Sequence, residues 1–308
     1  MKTDINRILA SALLTVLAGC SGSLETESAD EARRLTFGVE VCGTRAELKT
    51  SFSSGDQFRV WATDNKGQII DGSEENQWVT MQSDGSWTCP ISPLWKKNMK
   101  MSFCAYYPTD LSIAGLGMTT PENGFTISGY TLTQKDALLG HYSGFGDNGK
   151  ATIRFQHILA GAKFFLKTAA PASIAEITSV ALANEYTGGS CELHNVSGDS
   201  AIEWTARTGS AGIQQALSGQ SKNQGAVIGT PFLVIPRTGG NISLNLTVKF
   251  TDNTTTTLSA TVSGVTLSPG VVSVFNVTIP DKMDIGSLTV ESWTEDDPID
   301  EQIKNKKD

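Results

Sequence analysis

The stretch Leu35-Thr36-Phe37-Gly38-Val39-Glu40-Val41-Cys42-Gly43-Thr44-Arg45-Ala46 decides how this chain is read. Leu35, Phe37, Val39 and Val41 alternate with Thr36, Gly38 and Glu40, the period-2 pattern of a strand with one buried face. It is the first segment with anything to bury, and an isolated Arg45 follows it at an expected turn. A strand that can be cut from its own domain is a strand that another chain can replace.

What precedes it reads as an export signal. Met1–Arg7 carries Lys2 and Arg7, the apolar run Ile8–Ala18 follows, and the segment closes on Leu17-Ala18-Gly19-Cys20. Charged, apolar and small-residue regions in that order form a secretory signal. Leu-Ala-Gly-Cys resembles the lipobox of bacterial lipoproteins, in which the cysteine is lipidated and becomes the new first residue. Residues 1–19 are thus the expected signal peptide and Cys20 the expected lipidation site. The alternative is an ordinary cleaved signal, because the apolar run is too short to span a bilayer. Acyl chains on Cys20 would anchor the protein and leave the remainder soluble. Residues 20–34 are small, polar and acidic, the composition of a flexible tether.

At 308 residues the chain has ample material for two buried cores. An apolar fraction of 39% and a charged fraction of 18% place it among ordinary folded proteins. A net charge of −8 and the absence of a basic stripe argue against a nucleic-acid partner. Four cysteines follow Cys20, namely Cys42, Cys89, Cys104 and Cys191. They permit three disulfide connectivities or four buried thiols, and none has the close spacing of a zinc site.

Beyond the tether, alternation dominates. Phe58, Val60 and Ala62 alternate with Arg59, Trp61 and Thr63, and Met99–Tyr107 is a strong apolar strand ended by Pro108. Ser83-Asp84-Gly85 is an Asp-Gly hairpin signal between Trp78–Met81 and Ser86–Cys89. Ala151–Lys167 reads as one long strand or a pair, and seven short strands follow before Ser287–Trp293. A turn or two of helix is expected at 212–217 at most. Short strands separated by regular turn signals predict an all-β protein of β-sandwich domains. The expected division is an N-terminal domain at 35–147, a C-terminal domain at 148–293 and a polar tail at 294–308.

Several motifs approach known chemistry and stop short. Gly144-Phe-Gly-Asp-Asn-Gly149-Lys150-Ala151 nearly spells a phosphate-binding loop, but Ala151 stands where the magnesium-binding hydroxyl belongs, and a strand pattern follows. His141, His157 and His194 lie in no metal-ligand spacing, and no Gly-x-Ser-x-Gly elbow occurs. Gly198-Asp199-Ser200-Ala201 lacks a base partner; Asp199-Ser200-Ala201 also matches a short O-glycosylation acceptor pattern. The pairs Glu74-Glu75 and Asp296-Asp297 sit in polar surroundings that would not raise a pKa. No enzyme, metal or cofactor is expected. Trp78, Trp87 and Trp95 would make a sugar platform if coplanar and exposed; core packing is the commoner fate of such aromatics.

Taken in order, the motifs resemble the fimbrillin family of Bacteroidota, the type V pilins. The resemblance rests on the lipobox, the strand ending Thr44-Arg45-Ala46, and Phe52-Ser-Ser-Gly55-Asp56-Gln-Phe-Arg-Val-Trp-Ala62. It extends through Phe103-Cys-Ala-Tyr106-Tyr107-Pro108, Asp136-Ala-Leu-Leu139, Ile153-Arg-Phe155-Gln-His157-Ile-Leu-Ala160 and Leu288-Thr-Val290-Glu-Ser-Trp293. These segments run from residue 17 to 293.

The resemblance implies two transthyretin-like β-sandwich domains and a lipid-anchored outer-membrane precursor displayed at the cell surface. It further implies Arg-specific cleavage between Arg45 and Ala46, and donor-strand exchange with other fimbrial subunits once Leu35, Phe37, Val39 and Val41 have left. Arg33-Arg34 is a rival site whose cleavage would free only the tether. His157 carries over as a structural residue. The tail at 294–308 departs from the pattern of a donor strand, since only Pro298, Ile299 and Ile303 are apolar. Either Leu288–Trp293 is the donor or the chain does not donate, which suits a minor, accessory or tip subunit. The alternative is a monomeric surface lipoprotein that binds a glycan or host ligand and keeps its first strand.

Overall fold

The computed structural model describes residues 32–42, 48–64, 77–89, 94–96, 99–120, 124–145, 149–196, 199–281 and 288–292. Among the described residues there is no helix, and 21 strands carry the fold. The first eleven are β1 (Ala32–Arg34), β2 (Thr36–Cys42), β3 (Gln57–Asp64), β4 (Gln77–Met81), β5 (Trp87–Thr88), β6 (Leu94–Lys96), β7 (Lys100–Tyr107), β8 (Gly115–Thr120), β9 (Gly124–Thr131), β10 (Leu138–Phe145) and β11 (Lys150–His157). Then come β12 (Ala160–Leu166), β13 (Ile174–Glu185), β14 (Gly188–Val196), β15 (Asp199–Thr208), β16 (Ala211–Ala216), β17 (Phe232–Val234), β18 (Arg237–Phe250), β19 (Thr255–Leu267), β20 (Val272–Thr278) and β21 (Thr289–Ser292).

A seven-stranded sheet ordered β2-β11-β10-β7-β3-β4-β5 dominates the N-terminal half. Its two faces bury different cores, as strand alternation requires. Phe58, Val60 and Ala62 of β3 join Met101, Phe103 and Ala105 of β7 on the inner face. Trp61, Cys104, Tyr106 and Leu139 point the other way, against Phe125, Ile127, Cys191 and Leu193. The sheet curls until its end strands β2 and β5 approach each other, so the inner face closes on itself. The β4–β5 hairpin turns where the Asp-Gly signal places it: Gly85 takes φ +81°, and Asp84 accepts hydrogen bonds from the Ser86 N–H and hydroxyl.

A sheet ordered β15-β14-β9-β8 covers the second face. Sequence patterning did not single out β8 and β9, although Phe125 and Ile127 alternate within β9. Gly124 is required there, because a Cβ would collide with the Leu193 carbonyl oxygen of β14. The remaining sheets, β17-β12-β20-β21 and β16-β13-β18-β19, form a sandwich. Between them Phe164 stacks on Phe275 at 5.2 Å, and Val180, Leu182, Leu244, Leu246 and Val248 fill the opposite layer.

Of the two alternatives for Ala151–Lys167 the structure has two strands, and they lie in different sheets, β11 beside β2 and β12 beside β20, with Ile158 and Leu159 making the passage. One local expectation changes. The expected helical turn at 212–217 is instead edge strand β16, paired with β13 from Ser179↔Ala216 to Leu182↔Ile213. Its Ile213 packs against the sandwich core, a tertiary contact that outweighs weak helical propensity. On the far side of the 147/148 division, β11 lies in the first sheet and the β14–β15 hairpin pairs with β9.

Candidate functional site: the first strand and its groove

β2 lies at the end of the seven-stranded sheet and runs parallel to β11, in register from Thr36↔Lys150 to Cys42↔Gln156. The Thr36 N–H donates to the Gly149 carbonyl oxygen at 2.8 Å. In a parallel ladder this puts the backbone groups of Thr36, Gly38, Glu40 and Cys42 toward β11. Those of Phe37, Val39 and Val41 point to the opposite, unpaired edge.

All four apolar residues of the first strand reach the inner core. Leu35 is 5% exposed and Phe37 8%, while Val39 and Val41 are half-buried against the same cluster. Phe37 meets Phe58 and Phe103 edge to face, at 6.3 and 5.8 Å between ring centroids. Outside, Glu40 accepts from Arg154 Nε at 3.1 Å, an exposed pair worth little. The unpaired edge borders a groove of about 660 Å³, where Phe37 and Val41 face Phe52, Met81 and Trp87. β2 is therefore fastened by one ladder and one row of side chains, with open space along its other side.

The chain is fastened again directly after the strand. Leu48 is buried in the second core, and the Lys49 N–H donates to Asp136 Oδ2 at 2.8 Å. Asp136 Oδ1 meets His157 Nδ1 at 3.0 Å, with the imidazole almost wholly enclosed. Lys49 Nζ donates to Asp56 Oδ2 at 2.7 Å and lies over the rings of Phe52 and Tyr107. Asp136 and His157 belong to motifs noted in the sequence, but their partner Lys49, 87 residues from Asp136, carries no local signal. Asp136→Ala is expected to cost about 1–3 kcal/mol, because it leaves a buried imidazole and an amide unpartnered. A lysine-specific protease should then cut at Lys49 in the folded variant and spare the wild type, as read by mass spectrometry.

Cys20, Arg45 and Ala46 lie outside the described residues. Arg33 and Arg34 fall in β1, paired with β6 through Arg33↔Trp95 and Arg34↔Leu94. Cys42, Cys89, Cys104 and Cys191 are free thiols, and burial pushes those of Cys104 and Cys191 well above the usual range. Trp78 is 43% exposed beneath the Arg59 guanidinium, whereas Trp87 packs into the inner core on Phe52 and Phe58. The two do not share a face. Lys150 opens a strand and not the helix that a phosphate-binding loop requires after it. Among the described residues no group of three His, Cys, Asp or Glu side chains is placed to hold a metal ion. β21 is antiparallel to β20, and Leu288 just before it is buried in the sandwich core.

These features define a β-sandwich protein in which strand β2 is a lightly fastened edge ahead of an anchored chain. A profile of fimbrillin-like proteins matches residues 44–293, and the chain belongs to that family. A candidate cell adhesion protein from Bacteroides ovatus has a similar fold, with a TM-score of 0.58 at 14% identity over 85% of this chain and 96% of that one. A second candidate cell adhesion protein, from Bacteroides fragilis, gives a TM-score of 0.50 at 14% identity over 86% and 99%. Comparison with curated protein sequences found no match.

Proposed function

We propose that this protein is the precursor of a fimbrial subunit of minor, accessory or tip type, working in cell adhesion. It is anchored to the outer membrane through lipid on Cys20 and matured by an Arg-specific protease that cuts between Arg45 and Ala46. The observation that carries the reading is β2 itself. It is an edge strand bound on one side only, and the chain after it is held independently through Leu48, Lys49, Asp136 and His157.

Loss of the strand would uncover the sites of Leu35 and Phe37, at about 1.5–3 kcal/mol per large apolar side chain, and would leave the β11 edge unpaired. A donor strand from another subunit removes both liabilities, supplying a ladder and alternate side chains. Strand exchange then needs no energy beyond the proteolysis. The accessory assignment is supported by the C-terminal end: β21 is occupied in its own sheet, and withdrawing it as a donor would expose Leu288.

Digestion of the purified protein with an Arg-specific protease tests this. The expected product begins at Ala46 by mass spectrometry, loses the segment that ends at Arg45 only under strand-exchange conditions and then associates with a subunit that offers a donor strand. Arg45→Ala should abolish both steps. A folded protein that resists cleavage at Arg45, or that is cut there and never takes up a donor strand, sinks the maturation reading.

A further inference from the structure

Where the β14–β15 hairpin meets the second sandwich lies a cavity of about 530 Å³ that the strand mechanism does not use. Arg207, near the end of β15, stands in its wall beside Tyr186, Glu203, Thr238 and Ser268. Arg207 is exposed, yet its guanidinium is fixed. Nε donates to the Pro236 carbonyl oxygen at 2.7 Å and Nη1 to the Trp204 carbonyl oxygen at 3.3 Å.

Among the described residues nothing neutralises the charge on Arg207. Glu203 lies 3.3 Å from His194 Nε2 instead, and the neighbouring Arg237 is spent on Glu185. Among the described residues no carboxylate stands within ion-pair distance of Arg207. In a chain of net charge −8, an ordered, uncompensated guanidinium inside a concavity invites an anion from outside.

We propose that this cavity binds a carboxylated saccharide of the uronic-acid class. The N–H groups left free, two on Nη2 and the second on Nη1, receive the carboxylate in the forked geometry that arginine offers. The hydroxyls of Tyr186, Thr238 and Ser268 and the carboxylate of Glu203 supply donors and acceptors for ring hydroxyls. Because Arg207 is already held by two carbonyls, little side-chain freedom is lost on binding. The volume falls within the roughly 300–1,000 Å³ of small-molecule sites, which favour junctions between structural units. A single peptide carboxylate would satisfy Arg207 and leave the surrounding hydroxyls unmatched. The inference is independent of strand removal.

The test is a titration of the 15N-labelled full chain with sodium D-galacturonate, its methyl ester, D-galactose and an acidic tripeptide, followed by amide chemical shifts. Galacturonate should give saturable shifts at Tyr186, Arg207, Thr238 and Ser268. The ester and galactose should bind at least about tenfold more weakly, the loss expected for one charged hydrogen-bonded partner; the tripeptide, which keeps a carboxylate and lacks the ring hydroxyls, should also bind more weakly. Arg207→Ala should lose the same factor in a protein that is still folded at the titration temperature. If that variant does not fold, Arg207→Lys, which keeps the charge and loses the fork, replaces it, and the acid-to-ester ratio needs no variant. No saturable shift with galacturonate overturns the proposal. So does binding that persists in the Arg207 variants, or equal affinity for the tripeptide.

Discussion

Phe37→Ala should destabilise the N-terminal sheet by about 3 kcal/mol, the lower end of the range for a buried phenylalanine. The lower end applies because Phe37 borders the groove and water can fill part of the space it leaves. The effect should also be local. The Phe37 ring is wedged edge-on between Phe58 and Phe103, so its loss removes the central peg of a strand held otherwise by one ladder. Thr36 bonds to Gly149, so the register turns the amides of Ala151, Ile153 and Phe155 toward β2. Hydrogen exchange at these three amides should accelerate by two orders of magnitude or about that, matching the lost stability. Amides of Val180 and Leu246, in the second sandwich, should keep their wild-type protection. Uniform acceleration across both sandwiches would mean that β2 unfolds only with the whole molecule, and the removable-strand idea would lose its physical basis.

Much of this site was legible in the sequence because its signal is local. Leu35, Phe37, Val39 and Val41 all reach one core since strand geometry converts a period of two into one face. The β4–β5 turn was legible for the same reason, since Gly85 supplies the positive φ the turn needs. What was not legible is long-range pairing. Nothing in Leu35–Val41 states that its partner is β11, more than a hundred residues away, or that the pairing is parallel. Nothing near Lys49 points to Asp136. The passage at Ile158–Leu159, which sends β11 and β12 into different sheets, is also silent, because both residues are apolar and fully buried on either course. Arg207 shows the same limit. As a residue in an alternating strand it reads as solvated surface, and only the carbonyls of Trp204 and Pro236 make it a fixed cation.

Glu185→Ala is the second large effect, expected to cost about 3–5 kcal/mol by leaving a buried guanidinium without its counter-charge. Glu185 closes β13 and Arg237 opens β18. Their side chains are 1% and 9% exposed, and they meet through both guanidinium Nη atoms, Nη2 to Oε1 at 3.0 Å. Nη2 also donates to the Asn241 carbonyl oxygen at 2.6 Å. Gly240 makes room for this arrangement, since a Cβ there would stand 2.5 Å from Arg237 Cδ and 2.7 Å from Nε. After Glu185→Ala the Asn241 carbonyl is the hydrogen-bond partner left to the guanidinium among the described residues, a dipole where an anion stood. Two charges taken out of water gain little net stability over an apolar pair of the same shape. The double variant Glu185→Leu/Arg237→Met should therefore lie within about 1 kcal/mol of wild type, although each single change is costly. Urea unfolding of wild type, Glu185→Leu, Arg237→Met and the double variant measures the cycle, with Glu185→Ala beside it. A Glu185→Ala cost below about 1 kcal/mol would mean that water reaches Arg237 from the adjoining cavity. The pair would then be solvated, and the floor of the cavity would be wetter than its buried side chains imply.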